Sequence, residues 1–141
     1  MKKILIPDHI SNEIDIEKEV FGNEYEISYY NYPNEDIPIK EWSSCNGILL
    51  WHQKELDKHT IDLSNYCKAI VRAGVGFDNV DIDYAKSKKI AVCNVPDYGT
   101  NDVADHSMAL MLTMLRGIEV YNSKVRNKQS WDWHAAGELK R

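Results

Sequence analysis

The chain has 141 residues, 43% of them hydrophobic and 28% charged, which is ordinary usage for one globular domain with a core of its own. A formal net charge of −5, with Lys and Arg scattered, excludes a nucleic-acid platform. No run approaches the roughly 18 apolar residues of a membrane span, and MKKILIP is too short in apolar residues for a signal peptide, so a cytoplasmic protein is expected.

Residues 2–6 (KKILI) read as a first strand ended by Pro7, with Asp8, His9 and Ser11 in the loop at its carboxyl end. Ile14, Ile16, Val20 and Phe21 give residues 14–21 a weak helical spacing. Glu13, Asp15 and Glu17 suit the positive end of that helix, and Gly22 and Asn23 stop it. Residues 25–30 alternate, with Tyr25, Ile27 and Tyr29 against Glu26, Ser28 and Tyr30, which predicts a strand with one wet face near a sheet edge. Residues 32–41 contain Pro33 and Pro38 and read as a connector. GILLW at 47–51 is a short buried strand that delivers His52 and Gln53 to a loop. Residues 55–64 then form a short polar helix or turn with Leu56, Ile61 and Leu63 facing inward.

The stretch KAIVRAGVGFDNVDID, residues 68–83, organises the rest. Residues 69–71 are a buried strand, expected at the centre of the sheet. Gly74 and Gly76 bracket Val75, and glycine lets a backbone turn sharply or approach a ligand closely. A strand ending in such a turn presents bare N–H groups at its carboxyl end, where open α/β sheets bind ligands. Arg72 stands at the lip of the turn with a planar fork of donors suited to a carboxylate. These residues read as an anion site for a small carboxylic acid; the competing reading is a plain tight turn with Arg72 paired to Asp78, Asp81 or Asp83. The turn is not a dinucleotide fingerprint, because Asn79 holds the third glycine position and the acidic partner about 20 residues on is missing.

Residues 80–88 form a helix with Ile82 and Ala85 inward, and residues 90–93 a fifth strand closed by Asn94, Val95 and Pro96. Strands alternating with helices, without hairpin signals, predict an α/β domain with a mainly parallel sheet. Cys45, Cys67 and Cys93 have no disulfide or metal spacing and read as free thiols of a reducing compartment, Cys93 as a small core residue.

From Asn101 a long helix begins, with Asp102 and Asp105 in its first turn. Ala104, Met108, Met111, Leu115 and Ile118 share a face. Between Ser107 and Arg116 the helix is apolar nearly all round, so burial on more than one side is expected, either by another domain or subunit or as a core helix of this domain. Gly117 marks a break, and residues 119–128 a second, polar helix. Trp131 and Trp133 in the tail point to a packing partner.

The segments VRAGVGFDNVDID, IAVCNVPDYGTNDVADHSMALMLTMLR and SWDW resemble the D-isomer-specific 2-hydroxyacid dehydrogenases. GILLWHQKEL, with its aromatic–His pair, resembles their C-terminal-binding-protein-like subgroup. The resemblance implies an NAD-dependent oxidoreductase of two domains. Residues 1–100 form the flavodoxin-like substrate domain, a parallel sheet flanked by helices. Residues 101–128 are the long connecting helices, and residues 129–141 the start of a nucleotide-binding domain. It also implies that the Val75 and Gly76 amides hold the substrate carboxylate, that Arg72 and His52 contact substrate, and that Thr100 and Val103 touch the nicotinamide end of the cofactor. His52 is otherwise a solvated loop residue, and Thr100 otherwise a helix cap. The family's G-x-G-x-x-G turn, ribose acid and catalytic Arg, acid and His match nothing in this sequence, and His134 and Glu138 do not stand in for them. No catalytic or metal-binding residue is therefore assigned, and the chain is expected to be inactive alone. The expected partners are a 2-keto or 2-hydroxy acid and either a second copy or a nucleotide-binding domain. Two alternatives stand beside this one. The first is a dimerising or interaction module built on residues 103–118. The second is a phosphoacceptor receiver domain, which needs an aspartate where Trp51–His52 or Arg72 stands.

Overall fold

The computed structural model describes residues 1–11 and 13–127; the tail expected to begin a further domain, with Trp131 and Trp133, lies outside the described residues. Strands and helices alternate as β1 (Lys2–Ile6), α1 (Asp15–Phe21), β2 (Tyr25–Tyr29), α2 (Ile39–Ser44), β3 (Gly47–Leu50), α3 (Lys58–Leu63), β4 (Ala69–Arg72), α4 (Ile82–Ser87) and β5 (Ala91–Asn94), followed by α5 (Thr100–Arg116) and α6 (Ile118–Arg126). The five strands form one sheet in the order β2-β1-β3-β4-β5, and every pairing is parallel. This is the expected α/β fold, with the wet-faced strand β2 at the edge. The strand expected at the centre is β4, which lies second from the other edge; β3 holds the centre. The chain winds outward from β1 to β2 and then reverses, so position along the sequence does not give position in the sheet.

Right-handed crossovers put α1 on one face and α2, α3 and α4 on the other, because the direction of winding reverses after β2. α2 touches α3 and α3 touches α4. Between them and the sheet lies the core: Leu5, Ile48, Leu50 and Ile70 from the strands meet Trp42, Ile61 and Ala85 from the helices. Each large aliphatic or aromatic member contributes about 1.5–3 kcal/mol by leaving water. Leu56 and Ile61 are buried and Leu63 packs on the cluster, as expected.

Several local expectations are corrected. Residues 39–44 are helical where a connector was expected, because α2 is short, enters after Pro38 and buries only Trp42, which leaves no periodic signal. α4 starts at Ile82, since the Asp81 carboxylate accepts from the Tyr84 N–H at 3.0 Å and caps it there. Ile82 is exposed and Val80 buried instead, because Val80 bridges to Leu56. Cys93 is exposed rather than part of the core, sharing the outward face of edge strand β5 with Ala91.

The chain divides into two units, Met1–Tyr98 and one that begins at Gly99. In the second, α5 runs from Thr100 to Arg116 and is capped by Gly117, whose left-handed φ of 61° also opens α6. That conformation is the reason for a glycine there. α5 buries none of its residues, so of the two readings the core helix of this domain is not met; Met108, Leu110, Met111, Leu112, Met114 and Leu115 are 44% to 73% exposed. Among the described residues no helix is long and apolar enough to cross a membrane.

Candidate carboxylate site

A parallel sheet delivers all its carboxyl ends to one rim. Leu50, Arg72 and Asn94 end β3, β4 and β5 in register, so the loops that follow leave from one level. The chain after β4 is anchored by the Ala73 N–H and by the Gly74 and Val75 carbonyls. The Ala73 N–H donates to the Leu50 carbonyl at 2.7 Å, the Val95 N–H to the Gly74 carbonyl at 3.0 Å, and the Asn94 amide to the Val75 carbonyl at 2.8 Å. The N–H groups of Val75 and Gly76 enter no described hydrogen bond, and both residues are exposed.

Arg72 folds back over this turn. A Cβ on Gly74 would lie 1.8 Å from Arg72 Nη1, so the guanidinium occupies the space a side chain would need. Gly74 is therefore required by close approach and not by a left-handed backbone, which among described glycines only Gly22 and Gly117 adopt. Arg72 Nε is buried and has no hydrogen-bond partner. Among the described residues the guanidinium makes no ion pair, so the expected alternative of pairing with Asp78, Asp81 or Asp83 is not realised. An unmet buried donor costs about 1–3 kcal/mol, and an arginine can only donate. An unmet guanidinium N–H on a side chain that packs over Gly74, with the next two backbone N–H groups of the turn also without a described partner, makes a rim that suits a carboxylate.

His52 is exposed on the loop after β3, and its side chain has no described partner, while the loop itself is gripped from below. Asp8, 2% exposed, accepts the N–H groups of Trp51, Gln53 and Lys54 at 2.8, 2.8 and 2.9 Å. The Asn79 amide donates to the carbonyls of Trp51 and Lys54 at 3.2 and 3.0 Å. Asp8 thus takes the loop's donors and Asn79 its acceptors. The strand order reverses between β1 and β3, the crevice where doubly wound folds commonly bind ligands. Here the protein's own Asp8 carboxylate fills that crevice, and the unused donors lie one strand further along, at β4. Sequence reasoning missed the positioning roles of Asp8 and Asn79; the only available signal was a carboxylate directly after the Pro7 that ends β1. Beside them His9, also buried, meets Glu17 Oε1 at 3.0 Å and stands edge-on to Trp51.

His52, Arg72, Val75 and Gly76 therefore lie on one edge of one sheet. Thr100 and Val103 belong to the second unit, at the exposed start of α5. Thr100 is the first helical residue; the cap is Gly99, without a side-chain bond, so the cap reading of Thr100 is not met. No group of three or more metal-ligating side chains occurs among the described residues.

The strand order, the helices on both faces and the donor rim at the carboxyl edge define a flavodoxin-like α/β domain. The family model of the D-isomer specific 2-hydroxyacid dehydrogenase catalytic domain matches residues 4–131, and the chain belongs to that family. It is 33% identical over 125 residues to D-3-phosphoglycerate dehydrogenase of Archaeoglobus fulgidus, covering 88% of this chain and 23% of the relative. Among solved structures it resembles D-lactate dehydrogenase from Aquifex aeolicus complexed with NAD and lactic acid, with a TM-score of 0.79 and 25% identity, over 92% of this chain and 39% of that one. NAD+-bound 3-phosphoglycerate dehydrogenase of Entamoeba histolytica aligns with a TM-score of 0.69 and 26% identity, over 82% of this chain and 39% of that one. The chain thus spans about a quarter of the curated relative's length and two fifths of the solved ones.

Proposed function

We propose that this chain is the substrate-binding part of an NAD-dependent D-2-hydroxyacid dehydrogenase. Arg72 and the N–H groups of Val75 and Gly76 hold the carboxylate of a 2-keto or 2-hydroxy acid, with His52 contacting substrate from the neighbouring loop. The observation that carries this reading is the unpartnered, buried Nε of Arg72, whose guanidinium packs over Gly74 at a turn with two unused backbone donors. The lactic acid and NAD of the Aquifex aeolicus relative support the substrate class and the cofactor. The Trp51–His52 pair supports the C-terminal-binding-protein-like subgroup. The cytoplasm, where thiols stay reduced, is the compartment this reading implies.

When bound, NAD supplies or takes up the hydride at the substrate's second carbon. The residues present fit only the margin of its site. Thr100 and Val103 would touch its nicotinamide end, and the sequence holds neither a G-x-G-x-x-G turn for its phosphates nor an acid for its ribose. What these residues do is bind and orient. Fixing the carboxylate at a fork and two amides sets which face of the neighbouring carbon is presented, which makes a later transfer effectively unimolecular.

Calorimetry with the purified chain tests this. Pyruvate and a larger 2-keto acid are expected to bind, and Arg72→Ala to weaken them at least tenfold, about 1.4 kcal/mol or more. Equal binding by the variant overturns the assignment. A second reading, favoured by the exposed apolar side chains of α5, is a self-associating module. Light scattering that finds a dimer with no keto-acid binding favours it.

A further inference from the structure

We propose that Cys45 and Cys67 are a redox-active dithiol that closes to a disulfide under a hydroperoxide, tying the entry of β3 to the entry of β4. This is independent of the carboxylate site, which lies at the opposite end of the same two strands.

The register places the pair. Gly47 faces Ala69 in the parallel ladder, and two residues upstream on both chains stand Cys45 and Cys67. The ladder continues in their direction, with the Lys68 N–H donating to the Asn46 carbonyl at 2.9 Å. Neighbouring parallel strands lie about 4.8 Å apart, within the roughly 4.4–6.8 Å between Cα atoms that a disulfide accepts. Both thiols are buried in the same core cluster. Cys45 donates to the Trp42 carbonyl and Cys67 to the Ala69 carbonyl. The two thiols also act on each other. The contact with Cys67, together with burial, pushes the Cys45 thiol up, and the contact with Cys45 holds Cys67 below a free thiol.

Access distinguishes the two, making Cys67 the attacking thiol and Cys45 the resolving one. It borders a surface cavity of about 110 Å3 whose wall includes Lys68, Lys88 and Asp62, with Lys88 paired to Asp62. A water molecule takes about 30 Å3, so this space admits a peroxide. The step balances as follows. The Cys67 thiolate attacks one peroxide oxygen, the O–O bond breaks, and sulfenic acid forms on Cys67 with hydroxide leaving. The Cys45 sulfur then attacks the Cys67 sulfur, loses its proton, and water leaves. Two thiols and one peroxide give one disulfide and two waters.

The test treats the folded 141-residue chain with hydrogen peroxide, quenches, denatures, alkylates and maps the thiols by mass. The expected result is a Cys45–Cys67 linked peptide, with the same link in Cys93→Ser. In Cys45→Ser, dimedone is expected to trap sulfenic acid on Cys67. Exposed Cys93 is the internal control. Oxidation of Cys93 while Cys45 and Cys67 both remain alkylated overturns the proposal, as does a link that forms only in urea.

Discussion

Arg72 and Gly74 show how one missing side chain shapes the rim. The Arg72 fork lies where a Cβ of residue 74 would be, 1.8 Å from Nη1. Gly74→Ala is therefore expected to displace the guanidinium and weaken 2-keto acid binding about tenfold. Because the atom in the way is the far end of a flexible side chain and φ is not left-handed, stability is expected to change by no more than about 1 kcal/mol. Calorimetry and a urea midpoint on the same preparation check both halves; a variant that binds as well as the parent removes Arg72 from the site. Arg72 and the turn were legible in the sequence because donor, glycines and strand end are contiguous. Asp8 and Asn79 were not, because they act on partners far away in the chain: Asp8 on Trp51, Gln53 and Lys54, more than 40 residues on, and Asn79 on Trp51 and Lys54. Local pattern carries no record of such contacts.

Among the elements, the one with the weakest sequence signal, α2, is held by a partly buried ion pair. Lys3 of β1 meets Glu41 of α2 at 2.7 Å, with both side chains 15% exposed or less. Burial disfavours the Glu41 carboxylate, but the hydrogen bonds of Lys3 and Ser28 and the Lys3 charge outweigh it, and its pKa falls below the ordinary value. A carboxylate lowered by folding stabilises above its unfolded pKa of about 4.3 and loses that contribution as pH falls through the lower folded value. Lys3, raised chiefly by its bond to Glu41, stabilises below its ordinary value and loses that contribution in alkali. Glu41→Gln is expected to cost about 2 kcal/mol at neutral pH, the worth of a charge-assisted hydrogen bond, and to flatten the fall in stability below about pH 4. Urea midpoints of both proteins across that range decide it; parallel curves would remove the pair from the account of α2. Strands β1, β3, β4 and β5 were legible as short apolar runs between polar loops, and β2 by its alternation. Of the two readings of the apolar stretch of α5, cover by another domain or subunit and a core helix of this domain, only the second is ruled out by its exposure, since periodicity reports that a face is apolar and not what covers it.

For the whole molecule, binding and chemistry separate. The parallel sheet places His52, Arg72, Val75 and Gly76, the residues proposed to contact substrate, on one edge; reduction of a keto acid also needs a nicotinamide held against the second carbon, and much of the rate advantage comes from holding both reactants at once. In the proposed reading only Thr100 and Val103 of this sequence reach the nicotinamide, and the sequence holds no glycine-rich phosphate turn and no acid for the ribose. The 141-residue chain by itself is therefore expected to bind pyruvate without oxidising NADH, and its titration with NADH alone to give no heat. The measurement is NADH absorbance at saturating keto acid, run beside Arg72→Ala. A rate present in the parent and lost in the variant would mean that a nicotinamide site is built from these residues, and would overturn the division of labour proposed here. A rate equal in both would come from a contaminating enzyme and leave that division standing. With no rate in either, adding a nucleotide-binding domain in trans becomes the informative next step: restored turnover that depends on Arg72 would tie the donor rim to the reaction.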